Sequence, residues 1–167
     1  MKAVILAAGR GTRMGELTRD LPKPMIPVLG KPVLEHILRR MIVAGITDFV
    51  LVVKHLANTI RDYFGDGSCL GVRIEYVDQI DRYGTGAAYL SAKERVGSEV
   101  SLLTFADIIV SPSTYAEAVR LFGQKDGVGV VTVNRVDDPH TGAAVLIGSE
   151  GRIERVIEKP PKGRYPS

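Results

Sequence analysis

Short apolar runs alternate with amphipathic stripes along most of the chain, and that alternation constrains the fold more than any other feature. KAVILA at 2–7 is too short for a helix and lacks the polar alternation of a half-exposed strand, so it predicts a strand buried on both faces. In the stretch 33–45, Val33, Leu34, Ile37, Leu38, Met41 and Ile42 fall on one helical stripe closed by Gly45. The rhythm repeats: a strand at 48–53, a helix from His55 to a glycine stop, a strand at 72–77, a helix from Gly84 to Val96 and a strand from Val100 that ends on Asp107. A helix over Thr114–Phe122 and strands at 128–136, 143–148 and 152–159 complete the pattern. The early βαβαβα order predicts an α/β fold, a doubly wound, three-layer, mainly parallel Rossmann-like sheet, and the closely spaced late strands predict an antiparallel or mixed edge. With 167 residues and no low-complexity linker or internal repeat, a single domain over 1–167 is expected.

In such a sheet ligands bind beyond the carboxyl ends of the strands. The loop after the first strand, AAGRGTRMGELTRDLPKPM, is therefore expected to line a site, with Gln79, Asp107 and the end of the last strand on the same rim. The loop lies in the most basic part of the chain. Residues 1–40 carry eight Lys or Arg against three Asp or Glu, a balance of +5, while the whole chain is +3, so the remainder sums to −2. Two common phosphate loops are excluded by spacing. No GxxxxGK[ST] follows the first strand, and a GxGxxG run starting at Gly9 and Gly11 meets Met14 at its last glycine position. Lys54 also stands near the end of the second strand, where a dinucleotide site expects an acid. Two readings remain for the residues by themselves: a loop in which Gly9 and Gly11 admit an anion to the backbone while Arg13 and Lys23 supply charge, or a tight turn with solvated basic residues.

Composition narrows the function classes. Basic residues do not cluster with aromatic ones, so no nucleic-acid partner is expected. The single Cys69 excludes an intramolecular disulfide and a multi-cysteine zinc site, which favours a reducing, cytoplasmic setting. The first apolar run is too short for a signal peptide or a membrane span, and no membrane association is expected. His36, His55 and His140 have neither metal-ligand spacing nor triad partners and read as structural or surface groups.

Taken together, LAAGRGTRM, LPKPMIPVLGKPVLEHIL, AGITDFVLVV, QIDRYGTGA, LLTFAD and VIEKP resemble, in order, the motifs of the sugar-1-phosphate nucleotidyltransferases. That family includes the glucose-1-phosphate thymidylyl- and uridylyltransferases and the mannose-1-phosphate guanylyltransferases. The resemblance implies the nucleotide-diphospho-sugar transferase fold and a reaction in which a sugar-1-phosphate oxygen attacks the α-phosphorus of a nucleoside triphosphate, dTTP, UTP or GTP. It further implies that Leu6, Ala7, Ala8 and Gly9 lie near the base and ribose, with Gly11, Thr12 and Arg13 around the triphosphate and Arg13 on the leaving pyrophosphate. Lys23 would contact the α-phosphate and the sugar phosphate. Gln79 would read the nucleobase edge, with Gly84 and Thr85 beside the base. Asp107 would hold Mg²⁺; the bland alternative is a turn acid beside Ser111 and Pro112. Gly142, Glu158 and Lys159 would face the sugar phosphate, and homo-oligomers are common in the family.

Two positions depart from the family pattern. Ala106 stands where a glycine usually precedes the metal-binding acid, and Thr141 where a tyrosine usually precedes Gly142. The family's further sugar contacts and a second metal-binding Asp would lie beyond Ser167, so the chain is expected to be truncated relative to the family. A non-catalytic nucleotide-binding homologue, or a nucleotidyltransferase for another phosphorylated acceptor such as phosphocholine, is the alternative.

Overall fold

A computed structural model describes residues 1–9, 11–80, 84–124 and 127–165, with the backbone alone at Arg13. The chain forms two compact units, Met1–Lys125 and Asp126–Ser167. In the first, β1 (Lys2–Leu6) leads into a 3-10 segment, Thr12–Thr18, then a short 3-10 turn, Lys23–Met25, and a small hairpin of β2 (Pro27–Val28) and β3 (Lys31–Pro32). Next come α1 (Val33–Val43), β4 (Asp48–Val53), α2 (Ala57–Phe64) and β5 (Arg73–Asp78). The unit closes with α3 (Thr85–Ser91), α4 (Lys93–Val96), β6 (Ser101–Phe105) and α5 (Pro112–Gln124).

The four long strands form one parallel sheet in the order β5-β4-β1-β6. Strand periodicity then divides the core. Ala3 and Ile5 of β1, with Phe49, Leu51 and Val53 of β4, bury one face against Ile37 and Leu38 of α1, Ile60 and Phe64 of α2 and Tyr115 of α5. Val4 and Leu6, with Val50 and Val52, bury the other against Ala88, Ala92 and Val96. Each fully buried Val, Leu, Ile or Phe side chain among them contributes about 1.5–3 kcal/mol. Because a one-residue slip would exchange the two faces for two different sets of helices, the register is firmly specified.

In the second unit, β7 (Ala143–Ile147) pairs antiparallel with β8 (Ile153–Glu158), from Ala143 opposite Glu158 to Ile147 opposite Ile153. A 3-10 turn, Pro139–Thr141, precedes β7. Among the described residues of this unit only Ala144 and Pro160 are buried.

Three expectations change. The antiparallel pairing is present, but as a two-stranded ladder of its own and not as an edge of the four-stranded sheet. The valine-rich stretch 128–136 is not a strand: it has no backbone hydrogen bonds among the described residues, and Val128, Val131 and Val133 are exposed. Strand propensity is realised only where a partner strand and a buried face exist. The helix expected over 84–96 is broken at Ala92, whose N–H reaches the i−3 carbonyl of Tyr89. Ser91 Oγ donates to the Ala87 carbonyl at 3.1 Å, a back-bond that loosens a helix at that point.

Candidate active site

The carboxyl ends of the parallel strands form a rim. The Ala7 N–H donates to the Val52 carbonyl at 2.8 Å, the Gln79 N–H to Val53 at 2.9 Å and the Ala106 N–H to Leu6 at 3.0 Å. The segments after β1, β4, β5 and β6 therefore leave the sheet side by side. Successive strands step from β1 to β4 to β5 in one direction, and β6 then returns to the opposite side of β1. The loops that follow β1 and β6 diverge at this reversal and leave a crevice between them. An open cavity of about 110 Å³ lies there, lined by Leu6, Ala7, Gly9, Lys23, Asp107 and their neighbours.

Lys23 reaches this cavity because its backbone is held on both sides. Pro22 and Pro24 are buried, and the Met25 N–H closes the turn on the Pro22 carbonyl at 2.8 Å. Its Nζ donates to Asp107 Oδ2 at 2.5 Å, joining residues 84 positions apart. Both side chains remain more than a third exposed, so each stays accessible to a ligand. Leu6 and Ala7 are buried and can offer a ligand only backbone; Ala8 is half-buried and Gly9 exposed. A Cβ at Gly9 would meet nothing within 4 Å, so the open side of the backbone faces free space.

Gly11 has φ +65°, and a Cβ there would lie 3.0 Å from Thr18 Cγ2 and 3.2 Å from Lys23 Cβ. Glycine is thus required twice, by conformation and by the close approach of the Lys23 turn. Thr12 and the Arg13 backbone begin the 3-10 segment; the Arg13 side chain lies outside the described residues. Gln79 is half-buried at the end of β5, and Gly84 adopts φ 115° and ψ 158° immediately before Thr85 opens α3. Of the QIDRYGTGA motif, residues 81–83 lie outside the described residues.

The three sugar-phosphate candidates come together within the second unit. The Lys159 N–H donates to the Gly142 carbonyl at 2.7 Å, and Glu158 pairs with Ala143 in the ladder. Lys159 has φ +45°, a strained conformation for a residue with a Cβ. The turn before Gly142 is set by Asp138. Burial pushes its carboxyl up, but the backbone N–H groups of Gly163 and His140 donate to it and leave it below the ordinary carboxylate range.

Three features of the site escaped the sequence reading. Thr18 is buried with its hydroxyl on the loop carbonyls of Gly11 and Gly15. Ser91 Oγ accepts from the Ile80 N–H at 3.0 Å, anchoring the backbone next to Gln79. The third is the Lys23–Asp107 pair itself. A buried threonine three residues past a glycine is a weak sequence signal, and a contact across 84 residues has none.

A family model described as nucleotidyl transferase matches residues 2–166. The chain belongs to the nucleotidyl transferase family. Its relatives in the family include the bifunctional protein GlmU of Methanococcus maripaludis strain S2, 35% identical over 166 residues that make up 97% of this chain and 36% of that protein. Mannose-1-phosphate guanylyltransferase of Mycobacterium tuberculosis is 32% identical over 157 residues, 94% of this chain and 44% of that enzyme. A crystal structure of a Bacillus anthracis protein assigned as a glucose-1-phosphate thymidylyltransferase superimposes with a TM-score of 0.82 at 26% identity, covering 96% of this chain and 65% of that one. The chain thus spans less than half the length of these two curated relatives. The parallel sheet flanked by helices is the family's α/β fold.

Among the described residues, no three His, Cys, Asp or Glu side chains gather into a metal cage, and no helix is long and apolar enough to cross a membrane. A lone accessible carboxylate beside a cavity is the donor set that suits Mg²⁺ shared with phosphate oxygens and water. Asp107 fits that description.

Proposed function

We propose that this chain carries the nucleotide-handling site of a sugar-1-phosphate nucleotidyltransferase. A phosphate oxygen of the sugar-1-phosphate forms a bond to the α-phosphorus of a nucleoside triphosphate, the bond from that phosphorus to the α–β bridging oxygen breaks, and pyrophosphate leaves with the electron pair. The observation that carries this reading is the Lys23 ammonium held beside Asp107 at the mouth of the β1–β6 crevice. Two phosphate anions must approach one another for reaction, and a cation fixed before they arrive lowers that repulsion without later reorganisation. Ligand binding exchanges the Lys23 partner from carboxylate to phosphate.

Asp107 would hold Mg²⁺, which supplies charge neutralisation on the phosphate oxygens when bound. By family resemblance the Leu6, Ala7, Ala8 and Gly9 backbone is assigned to the base and ribose, the loop at Gly11 and Thr12 to the triphosphate, and Arg13 to the leaving pyrophosphate. Gln79 is assigned to the base edge, Gly84 and Thr85 to the base, and Gly142, Glu158 and Lys159 to the sugar phosphate. The strained φ of Lys159 supports a functional role there. A nucleotide substrate and a lone thiol favour a cytoplasmic setting.

Calorimetric titration with dTTP, UTP, GTP and CTP in Mg²⁺ tests the binding half, and pyrophosphate release with a panel of sugar-1-phosphates tests the transfer. Binding of one nucleotide with release that depends on a sugar-1-phosphate is expected. A chain that binds none of the four nucleotides overturns the reading.

A further inference from the structure

Thr18 is one of the few buried polar residues among the described residues, 4% exposed. Its hydroxyl donates to the Gly11 carbonyl at 3.0 Å, with a longer branch of 3.3 Å to the Gly15 carbonyl. Both glycines have positive φ, +65° and +56°, a region glycine enters freely, so it is contacts and not the residue type that select one conformation of this flexible backbone. The Gly11 carbonyl also accepts from the Met14 N–H at 2.9 Å, so two donors fix one peptide plane.

That plane has two sides. In a trans peptide the carbonyl and the next N–H point in opposite directions. Holding the Gly11 carbonyl toward Thr18 therefore turns the Thr12 N–H away from Thr18, and holding the Gly15 carbonyl does the same for the Glu16 N–H. The Thr18 methyl completes the arrangement, packed where a Gly11 side chain would otherwise stand.

We propose that Thr18 is a positioning residue that presets the anion loop, orienting the Thr12 amide toward a triphosphate before the ligand arrives. This rests on the nucleotide-binding reading above and names a residue that acts on the ligand only through backbone. A loop organised in advance spares the ordering cost of binding, and one lost hydrogen bond of this kind is worth about tenfold in affinity.

Two near-isosteric variants separate the hydroxyl from the packing. Thr18→Val keeps the methyl and removes the donor; Thr18→Ser keeps the donor. Amide exchange at Met14, which shares the Gly11 acceptor, is expected to quicken about tenfold in T18V and to return toward wild type in T18S. Titration with inorganic tripolyphosphate and with UTP, dTTP and GTP in Mg²⁺ is expected to show about a tenfold weaker Kd in T18V, restored in T18S. T18V that binds like wild type overturns the inference and leaves the functional reading intact. T18S as weak as T18V also overturns it, because packing would then be the cause. A wild-type chain that binds neither tripolyphosphate nor any of the four nucleotides, CTP included, overturns both readings.

Discussion

At Lys23 the backbone and the charge are fixed by different parts of the chain: two buried prolines set the base of the side chain, and the Asp107 carboxylate in the turn after β6 sets its tip. Replacing it with alanine removes charge that is needed most when both phosphates are close. Lys23→Ala is expected to cut turnover by about 10²–10³-fold while weakening nucleotide binding only modestly. Pyrophosphate release and calorimetric titration measure the two effects, and equal losses in both would show that Lys23 serves binding alone. The two loop glycines make a second residue-scale contrast. Gly11→Ala places a Cβ at positive φ against Thr18 and Lys23, and is expected to lower unfolding free energy by about 1–3 kcal/mol. Gly9→Ala meets open space, and is expected to change stability by less than about 0.5 kcal/mol. Denaturant midpoints check both, and a loss of nucleotide affinity in Gly9→Ala without loss of stability would report close approach of the ligand to this backbone.

At the scale of elements, β3, α1 and α2 are tied together through one carboxylate. Glu35 of α1 is buried, and accepts from Tyr63 Oη of α2 at 2.7 Å, Arg39 Nε at 2.7 Å and Lys31 Nζ of β3 at 3.1 Å. Burial pushes its carboxyl up, but the hydrogen bonds from Tyr63, Arg39 and Lys31 outweigh that and hold it at about 2. A carboxyl that is more acidic folded than unfolded stabilises fully above its ordinary value and loses that contribution as pH falls toward 2. Arg39 and Lys31 are about half exposed, so solvent screens their share and the total is about 1–3 kcal/mol. Glu35→Gln is expected to be less stable than wild type at pH 7 and to converge with it between pH 4.5 and pH 2, as read by denaturant midpoints across that range. A constant difference would show that Glu35 stays uncharged or makes no net contribution. These elements also show what sequence can and cannot disclose. β1 and β4 were legible to within a residue, because burial on both faces leaves a continuous apolar run. The stretch 128–136 is also rich in valine and forms no strand, since pairing depends on a partner that composition does not name. The site divides along the same line: the glycines, Lys23 and Asp107 were legible as residues, whereas the ion pair and the Thr18 hydroxyl depend on nonlocal packing and close backbone geometry.

For the whole molecule, core and candidate chemistry are unequally shared. Both buried clusters around the parallel sheet are built from residues up to Tyr115, with every candidate nucleotide contact also within Met1–Lys125. The second unit holds Gly142, Glu158 and Lys159 on a two-stranded ladder whose Ile147, Ile153 and Val156 are exposed. A chain near 40 residues with so little buried apolar surface does not offset its conformational entropy. A protein of residues 1–125 is therefore expected to melt cooperatively and to bind nucleoside triphosphate with little change in affinity, while losing any dependence of pyrophosphate release on sugar-1-phosphate. Residues 126–167 alone are expected to be unfolded by circular dichroism. Lys159→Ala in the full chain is the matching probe: it should weaken the sugar-1-phosphate and spare the nucleotide. If residues 1–125 fold but no longer bind a nucleotide that the full chain binds, the nucleotide site draws on the second unit, and the division of labour drawn here between the two units is wrong.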